Sequence, residues 1–214
     1  MPRPDWPTAA PYVPDTRDLD ALRAAAPDCR GCPLWEPATQ VVFGRGQASA
    51  RLLLVGEQPG DVEDQKGVPF VGPAGRLLVQ ALDEAGVDRS DVYVTNAVKH
   101  FKFTVRGKRR IHASPDTYET AACRPWLVAE LAAVQPELVV LLGATAAKTV
   151  YGPSFRVTQQ RGALMDWPEP DGPRALATIH PSAVLRADDR DAALAGLVAD
   201  LRVVAGSLRE GPGS

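Results

Sequence analysis

The sequence lacks any long apolar run. No apolar stretch approaches the ~20 residues that a membrane-spanning helix needs. The start, MPRPDWPTAAPYVPD, lacks the basic-then-apolar pattern of a secretory signal. The formal net charge is only -2, which argues against a general coat for a polyanion. We therefore expect a cytoplasmic, monomeric protein with no membrane partner, in which any contact with a polyanion is local.

Cysteine is also scarce, with three residues in a chain of 214. Cys29 and Cys32 form a C-x-x-C pair, and Cys123 lies far downstream. An odd number of cysteines in a cytoplasmic protein argues against a disulfide, whereas a close pair with a distant partner is typical of a metal or cluster site. The three cysteines leave the fourth ligand of such a site unassigned.

Proline is unevenly distributed along the chain. The 20 prolines are concentrated in the first 40 residues and in the stretch 153–173. This pattern predicts a Pro-rich N-terminal arm over residues 1–28, one domain over 29–206 and one irregular late loop rather than a second domain. The end of the chain, 207–214, carries Gly and Pro and is expected to be a flexible tail.

Short apolar runs alternate with helical patterns. The runs lie at 51–57, 92–98, 137–143 and 174–180 and are typical of strands buried on both faces of a parallel sheet. The helical patterns lie at 72–86, 114–135, 143–152 and 189–206. The sequence therefore predicts an α/β fold, a three-layer α/β/α sandwich around a four-stranded parallel sheet.

Polar side chains follow three of these strands. Glu57 and Asp61 lie in GEQPGD after the first strand, Asn96 ends the second, and His180 follows the last. Each has an ordinary alternative as a turn or cap residue. Because ligands of open parallel sheets bind beyond the carboxyl ends of the strands, the combination indicates a binding site there.

A cluster of basic residues occupies the segment GKRRIHASPD, residues 107–116. Its letters show neither helical nor strand periodicity, so we expect a loop with His112 near its tip. Lys108, Arg109 and Arg110 concentrate positive charge in one place, which suits contact with phosphates. Taken alone, the segment favours a solvated loop in which the histidine has no role.

Several motifs together resemble a known family. GEQPGDVEDQKGVPFVGPAGRLL, YVTNAVKHFKF, GKRRIH, ACRPWL and IHPSAVLR occur in order between about Cys29 and Leu201. They resemble the uracil-DNA glycosylase superfamily, near its iron–sulfur family 4 and most closely the UdgX branch, whose members become covalently attached to uracil-containing DNA. The resemblance implies a glycosidase whose partner is uracil-containing DNA, either single-stranded or with a flipped-out base.

The resemblance also implies a [4Fe–4S] cluster. Family 4 has a third cysteine where this chain has His100, so the implied ligands are Cys29, Cys32, His100 and Cys123. Imidazole ligates cluster iron in Rieske centres. A Cys₃His zinc site would satisfy the same spacing and stays open as an alternative.

Roles in base excision follow from the same resemblance. Phe70 is implied as the aromatic floor under uracil, Asn96 as the reader of its O4 and N3–H edge, and His180 as a donor to O2 as charge accumulates on the leaving base. Gln58 is implied as a further member of the uracil pocket.

Capture of the sugar is the last implied step. His112 would attack C1′, and Glu57 would hold the required tautomer of its imidazole. Lys108, Arg109 and Arg110 would hold the loop and contact phosphates. The alternatives are a multiple-turnover glycosylase, in which His112 positions water, and a non-catalytic iron–sulfur DNA-binding module.

Overall fold

The structure, a computed structural model, describes residues 7–210 and contains one five-stranded sheet. The sheet strands are β1 (Leu52–Gly56), β2 (Val92–Asn96), β5 (Leu138–Leu142), β6 (Leu164–Met165) and β7 (Arg174–Thr178), in the order β2-β1-β5-β7-β6. Four strands are parallel, as predicted. The fifth, β6, pairs antiparallel with β7. It was not predicted because two residues carry no periodicity.

Eight α-helices surround the sheet in the described part of the chain. They are α1 (Leu19–Ala25), α2 (Asp61–Lys66), α3 (Pro73–Ala85), α4 (Thr117–Val134), α5 (Ala144–Tyr151), α6 (Val157–Gln160), α7 (Pro181–Leu185) and α8 (Arg190–Glu210). Single 3₁₀ turns lie at Ala10–Tyr12, Ala26–Asp28, Pro33–Trp35 and Arg89–Asp91.

Side chains of β1 alternate between two separate cores. Leu53 and Val55 pack into one core with residues of α1, α4 and α5, while Leu52 and Leu54 pack into the other with residues of α3, α7 and α8. All four are fully buried. Burial on both faces explains the continuous apolar runs and establishes the three-layer α/β/α sandwich.

Residues 103–112 form a β-hairpin, so 107–112 of the predicted loop 107–116 are its turn and second strand. Its strands are β3 (Phe103–Arg106) and β4 (Arg109–His112), and Arg106 pairs with Arg109 across a two-residue turn. Gly107 begins that turn with φ of 62°, a conformation that suits glycine. The hairpin was missed because arginine and lysine occupy positions where strand formers are expected. His112 therefore ends β4 at the base of the hairpin rather than at its tip.

Both ends of the chain differ in detail from expectation. Helix α8 continues to Glu210 instead of ending at 206, because Leu208 is buried against the sheet and holds the last turn. Residues 207–210 of the predicted tail are thus helical. In the predicted arm, Leu19 and Leu22 are buried in the core. Residues 1–6 of that arm and 211–214 of that tail lie outside the described residues.

Helix α4 begins later than its sequence pattern suggested. Asp116 is its N-cap, and the side chains of Asp116 and Glu119 form a reciprocal capping box. Ser114 and Pro115, which the sequence favoured as the start, precede the cap. No helix within residues 7–210 is both long and apolar enough to cross a membrane.

Candidate active site at the carboxyl ends of the strands

A cavity of about 890 Å³ lies at the carboxyl ends of the parallel strands. Its lining includes the residues that end or follow all four of them: Glu57, Asn96, Gly143 and His180. The structure thus brings together the polar strand ends that the sequence singled out. Phe70 and His112 join them from other elements, so residues far apart in sequence share one cavity.

The floor of the cavity is tightly packed. Phe70 has φ of 54°, in the left-handed region that non-glycine residues seldom adopt. A β-carbon on Gly75 would lie 1.7 Å from the Phe70 carbonyl oxygen, so only glycine permits this approach of α3. The conformation directs Phe70 towards Gly56, whose absent side chain leaves room for the ring and for the Asn96 carboxamide.

His180 is held as a neutral imidazole with a defined tautomer. Its Nδ1 accepts a hydrogen bond from the backbone N–H of Ser182 at 3.1 Å, at the start of α7. The proton of the neutral ring is therefore on Nε2, which is left to donate. Burial, with smaller contributions from the charges of Arg186 and His112, lowers the pKa of His180 to about 4. The ring stays uncharged at neutral pH.

A carboxylate joins His112 to a residue that the sequence did not reveal. Glu57 Oε1 lies 3.3 Å from His112 Nε2. The hydroxyl of Thr145, in the first turn of α5, donates to Glu57 Oε2. No motif in the sequence marks Thr145. Its contact with Glu57 is recognised only when β5 and α5 are placed beside β1. Both oxygens of the Glu57 carboxylate are thus engaged, which fixes its direction towards His112.

Gln58 holds both ends of the hairpin. Its amide nitrogen donates to the carbonyl oxygens of Lys102 and Ala113, each at 3.1 Å, and its oxygen accepts from the Lys102 N–H at 3.0 Å. Gln58 also lines the cavity. Because both amide hydrogens are engaged, only the oxygen has capacity left for a ligand, and the predicted contact with uracil stays a prediction.

Arg110 anchors the hairpin to α2. Its Nε donates to Asp61 and one terminal nitrogen donates to the buried Asp64, both at 2.6 Å. The guanidinium also lies over the rings of Phe101 and Phe103, with centroid distances of 5.5 and 5.0 Å. Arg110 is thereby neutralised and half-buried, so it is better placed to position the hairpin than to bind phosphate.

Lys108 and Arg109 have a different environment. Both side chains are exposed on the hairpin, and within residues 7–210 neither forms a salt bridge. Neither is among the described residues that line the cavity, and both lie at the turn end of the hairpin. Their contact with phosphates stays a prediction.

The three cysteines converge on a second site, next to the loop that carries His100. Cys29, Cys32 and Cys123 are buried and free, and the Lys99 N–H donates to Cys123 Sγ at 3.3 Å. The pKa of Cys32 is raised to about 11 and that of Cys123 to about 12, mainly by burial and to a smaller extent by the neighbouring cysteines. Burial also lowers the pKa of His100 to about 4, which leaves a neutral imidazole able to ligate metal.

Within 7–210, no three His, Cys, Asp or Glu side chains are arranged around a point that would suit a single metal ion. An iron–sulfur cubane makes a different demand, because each ligand binds a separate iron atom and the four ligands surround a larger body. Three buried thiols and a neutral imidazole fit that donor set in kind, and His100 directly follows Lys99, whose N–H contacts Cys123.

Comparison with known proteins identifies the family. Residues 43–202 match the uracil DNA glycosylase superfamily, which is more than half of the chain. The type-4 uracil-DNA glycosylase of Thermotoga maritima is 40% identical over 159 residues, covering 74% of this chain and 78% of that protein. Those of Sulfurisphaera tokodaii and Archaeoglobus fulgidus are 33% and 34% identical, covering 76% and 83% of their own lengths. With this similarity across the sheet, the cavity and α8, the chain belongs to the uracil DNA glycosylase superfamily.

Proposed function

We propose that this protein releases uracil from DNA and then captures the abasic sugar through His112. The observation that carries the proposal is the meeting of Phe70, Asn96, His180 and His112 in one cavity. The similar type-4 enzymes are named as uracil-DNA glycosylases, which supports the first step. The position of His112 beside Glu57 supports the second. The second step, covalent capture, is the activity that would make this protein similar to the UdgX branch.

Release of the base depends on three side chains. Uracil must leave the base stack to enter the cavity, where the Phe70 ring offers a stacking surface. The Asn96 carboxamide can donate to O4 and accept from N3–H, a combination that cytosine cannot match. The free Nε2–H of His180 can donate to O2. As the C1′–N1 bond breaks, its electron pair moves onto the base, and this hydrogen bond strengthens.

Capture follows from the position of His112. The electron-poor C1′ accepts the lone pair of the neutral imidazole, so that a new N–C1′ bond replaces the broken C1′–N1 bond. The imidazolium formed then loses its proton, for which the Glu57 carboxylate is the nearest acceptor. The neutral alkyl imidazole that remains is a poor leaving group, so the adduct persists. Lys108 and Arg109 would meet the flanking phosphates.

A denaturing gel tests this function directly. The protein is incubated with a labelled single strand that contains one uracil and is then boiled in detergent. A retarded band that survives boiling is the expected result. Free abasic product in its place would indicate a multiple-turnover glycosylase, and unchanged DNA would indicate a binding module without activity.

Glu57→Gln should slow adduct formation by about one to four orders of magnitude, because the amide cannot accept the imidazole proton and no longer holds one tautomer. Band formation is followed over time at neutral pH. The matched control is Thr158→Val, a conservative change of another residue that lines the cavity, which should leave the rate unchanged. Wild-type kinetics in Glu57→Gln would show that another group orients His112.

We also propose that Cys29, Cys32, His100 and Cys123 hold a [4Fe–4S] cluster. The cluster would supply a rigid anchor, because its ligands come from the N-terminal segment, the loop after β2 and helix α4. Their burial and the neutral His100 support this donor set.

The cluster assignment predicts a brown protein with broad visible absorbance and near-equal amounts of iron and sulfide. His100→Cys should retain the absorbance, because it restores the commoner ligand. Ser154→Cys, at an exposed surface position, serves as the control for an added thiol. Colourless protein with one zinc per chain would instead support the Cys₃His alternative, and loss of the cluster in His100→Cys would exclude His100 as a ligand.

A further inference from the structure

Lys99 and Glu130 form an ion pair in the interior of the protein. Both side chains are completely buried, and the Lys99 ammonium donates to Glu130 Oε2. Glu130 also accepts from the backbone N–H of Gly44 at 3.1 Å and from the Tyr93 hydroxyl at 3.0 Å. The carboxylate is thus held by several donors besides the lysine, from segments far apart in the chain. None of these groups lines the cavity.

All three ammonium donors of Lys99 are engaged. One reaches Glu130, a second reaches Thr95 Oγ1 at 2.6 Å, and the third reaches the backbone carbonyl oxygen of Asn96 at 2.7 Å. The Thr95 hydroxyl in turn donates to Glu130. The network therefore fixes the position of the ammonium group in every direction.

The contact with Asn96 is the informative one. Asn96 is the last residue of β2, where the ladder with β1 ends, and it is 3% exposed. A buried carbonyl at this point needs a donor, which Lys99 supplies from three residues downstream. This hydrogen bond, together with the one that the Ala97 N–H donates to the Gly56 carbonyl oxygen at 2.9 Å, sets the plane of the peptide that follows Asn96. The orientation of its Cα, and so of its carboxamide, depends on that plane.

From this geometry we infer that Lys99, held by Glu130, is a positioning residue for base recognition and acts through the backbone of Asn96. The inference rests on the proposed function, because it concerns how the cavity reads uracil. It adds a role for two buried charges that touch neither substrate nor the reacting atoms.

A buried ion pair also has a purely structural explanation. Removal of one partner leaves an unpaired charge in the interior and destabilises the fold, whereas removal of both charges is often tolerated. The double replacement Lys99→Met/Glu130→Gln therefore separates the two roles. It removes both charges, and the carboxamide oxygen introduced in place of the carboxylate can still accept from Gly44 and Tyr93. The Asn96 carbonyl, however, loses its donor.

The experiment measures single-turnover uracil release by the purified protein with its natural metal content. The double variant should release uracil about ten- to a hundred-fold more slowly at saturating protein, because small displacements of recognition groups have effects of that size. Its affinity for DNA with a stable abasic-site analogue should not change, since no base is present to be read. The control is Arg51→Met/Glu137→Gln, which removes an ion pair at the amino ends of β1 and β5. These ends lie away from the cavity, so the control should not alter release.

Non-additivity tests whether Lys99 acts through Asn96. In an Asn96→Ala background, the double replacement should cause no further loss of release, because the side chain that it positions is gone. A further loss equal to that seen in the wild-type background would overturn the inference, as would wild-type release by the double variant.

A second variant covers the case in which the double variant does not fold. Tyr93→Phe removes one neutral donor to Glu130 but leaves both charges paired and the Lys99 contact with Asn96 in place, so release per folded molecule should stay near wild type even if the melting temperature falls. A loss as large as that expected for the double variant would contradict a role of the Asn96 contact. If the wild-type protein released no uracil, the proposed function would be wrong. If the wild-type protein released uracil and the double variant released it equally fast, only the role of Lys99 would be wrong.

Discussion

His112→Ser should eliminate the boiling-resistant adduct while uracil release continues. In the proposed mechanism, Phe70, Asn96 and His180 drive departure of the base, whereas His112 acts on the sugar carbon. Serine removes the nucleophile and leaves space for water beside Glu57, which is positioned to accept a proton from it. The abasic product can then dissociate, so the variant should turn over repeatedly. The measurement pairs a denaturing gel with alkaline cleavage of the product.

Arg109→Ser is the matched control on the same strand of the hairpin. It removes an exposed charge and keeps His112, so the adduct should still form, with weaker DNA binding that depends on salt. An adduct in His112→Ser would show that another residue is the nucleophile. Absence of both adduct and abasic product would show that His112 assists departure of the base itself.

Gly56→Ala is expected to reduce uracil release by about a thousand-fold, because it would displace two side chains that we propose contact the base, and loss of a single transition-state contact costs about 100- to 1,000-fold. The new methyl group would lie 2.3 Å from Asn96 Oδ1 and 2.7 Å from Phe70 Cζ. Asn96 is buried and the Phe70 backbone is fixed by Gly75, so neither side chain can withdraw without loss of its position.

Gly206→Ala is the control for this substitution. Apart from its chain neighbours and the adjacent backbone of α8, no atom of the described residues lies within 4 Å of the added carbon, and alanine in a helix interior is favoured over glycine by about 0.5–1 kcal/mol. This variant should keep its activity and melt slightly higher. Gly56→Ala should retain its affinity for abasic DNA if only the base pocket has changed. Wild-type uracil release by Gly56→Ala would show that Asn96 and Phe70 do not read the base.

The sheet could be predicted because strands that are buried on both faces have continuous apolar sequences. The runs that form β1 and β5 consist almost entirely of apolar residues, so length and flanking glycines suffice to recognise them. The polar ends of the strands followed from topology, since parallel strands bring their carboxyl ends to one edge. Glu57, Asn96 and His180 were accessible to sequence reasoning for that reason.

The hairpin could not be predicted, because what stabilises it lies elsewhere in the chain. Arg110 occupies a strand position only because Asp61 and Asp64 of α2 receive its guanidinium. The role of Gln58 likewise depends on Lys102 and Ala113, which are 44 and 55 residues away. Such side-chain contacts leave no periodicity in the sequence.

The burial of Lys99 and the contact of Thr145 could not be predicted for a related reason. Lys99 is expected at the surface from its residue type, and its burial becomes understandable only when Glu130 is placed beside it by the packing of α4 against β2. Thr145 is a common residue in the first turn of a helix. Its contact with Glu57 arises from the parallel pairing of β1 with β5.

The clamping of the hairpin by Gln58 and Arg110 has a consequence for protein engineering. Because folding itself orders this segment, the proposed capture would have no loop entropy to overcome before the imidazole meets the sugar. Transplanting residues 103–112 into another glycosylase would therefore transfer His112, the proposed nucleophile, without the contacts that hold it. We expect the recipient to capture the sugar only when it also receives the equivalents of Gln58, Asp61 and Asp64, which hold the hairpin in place.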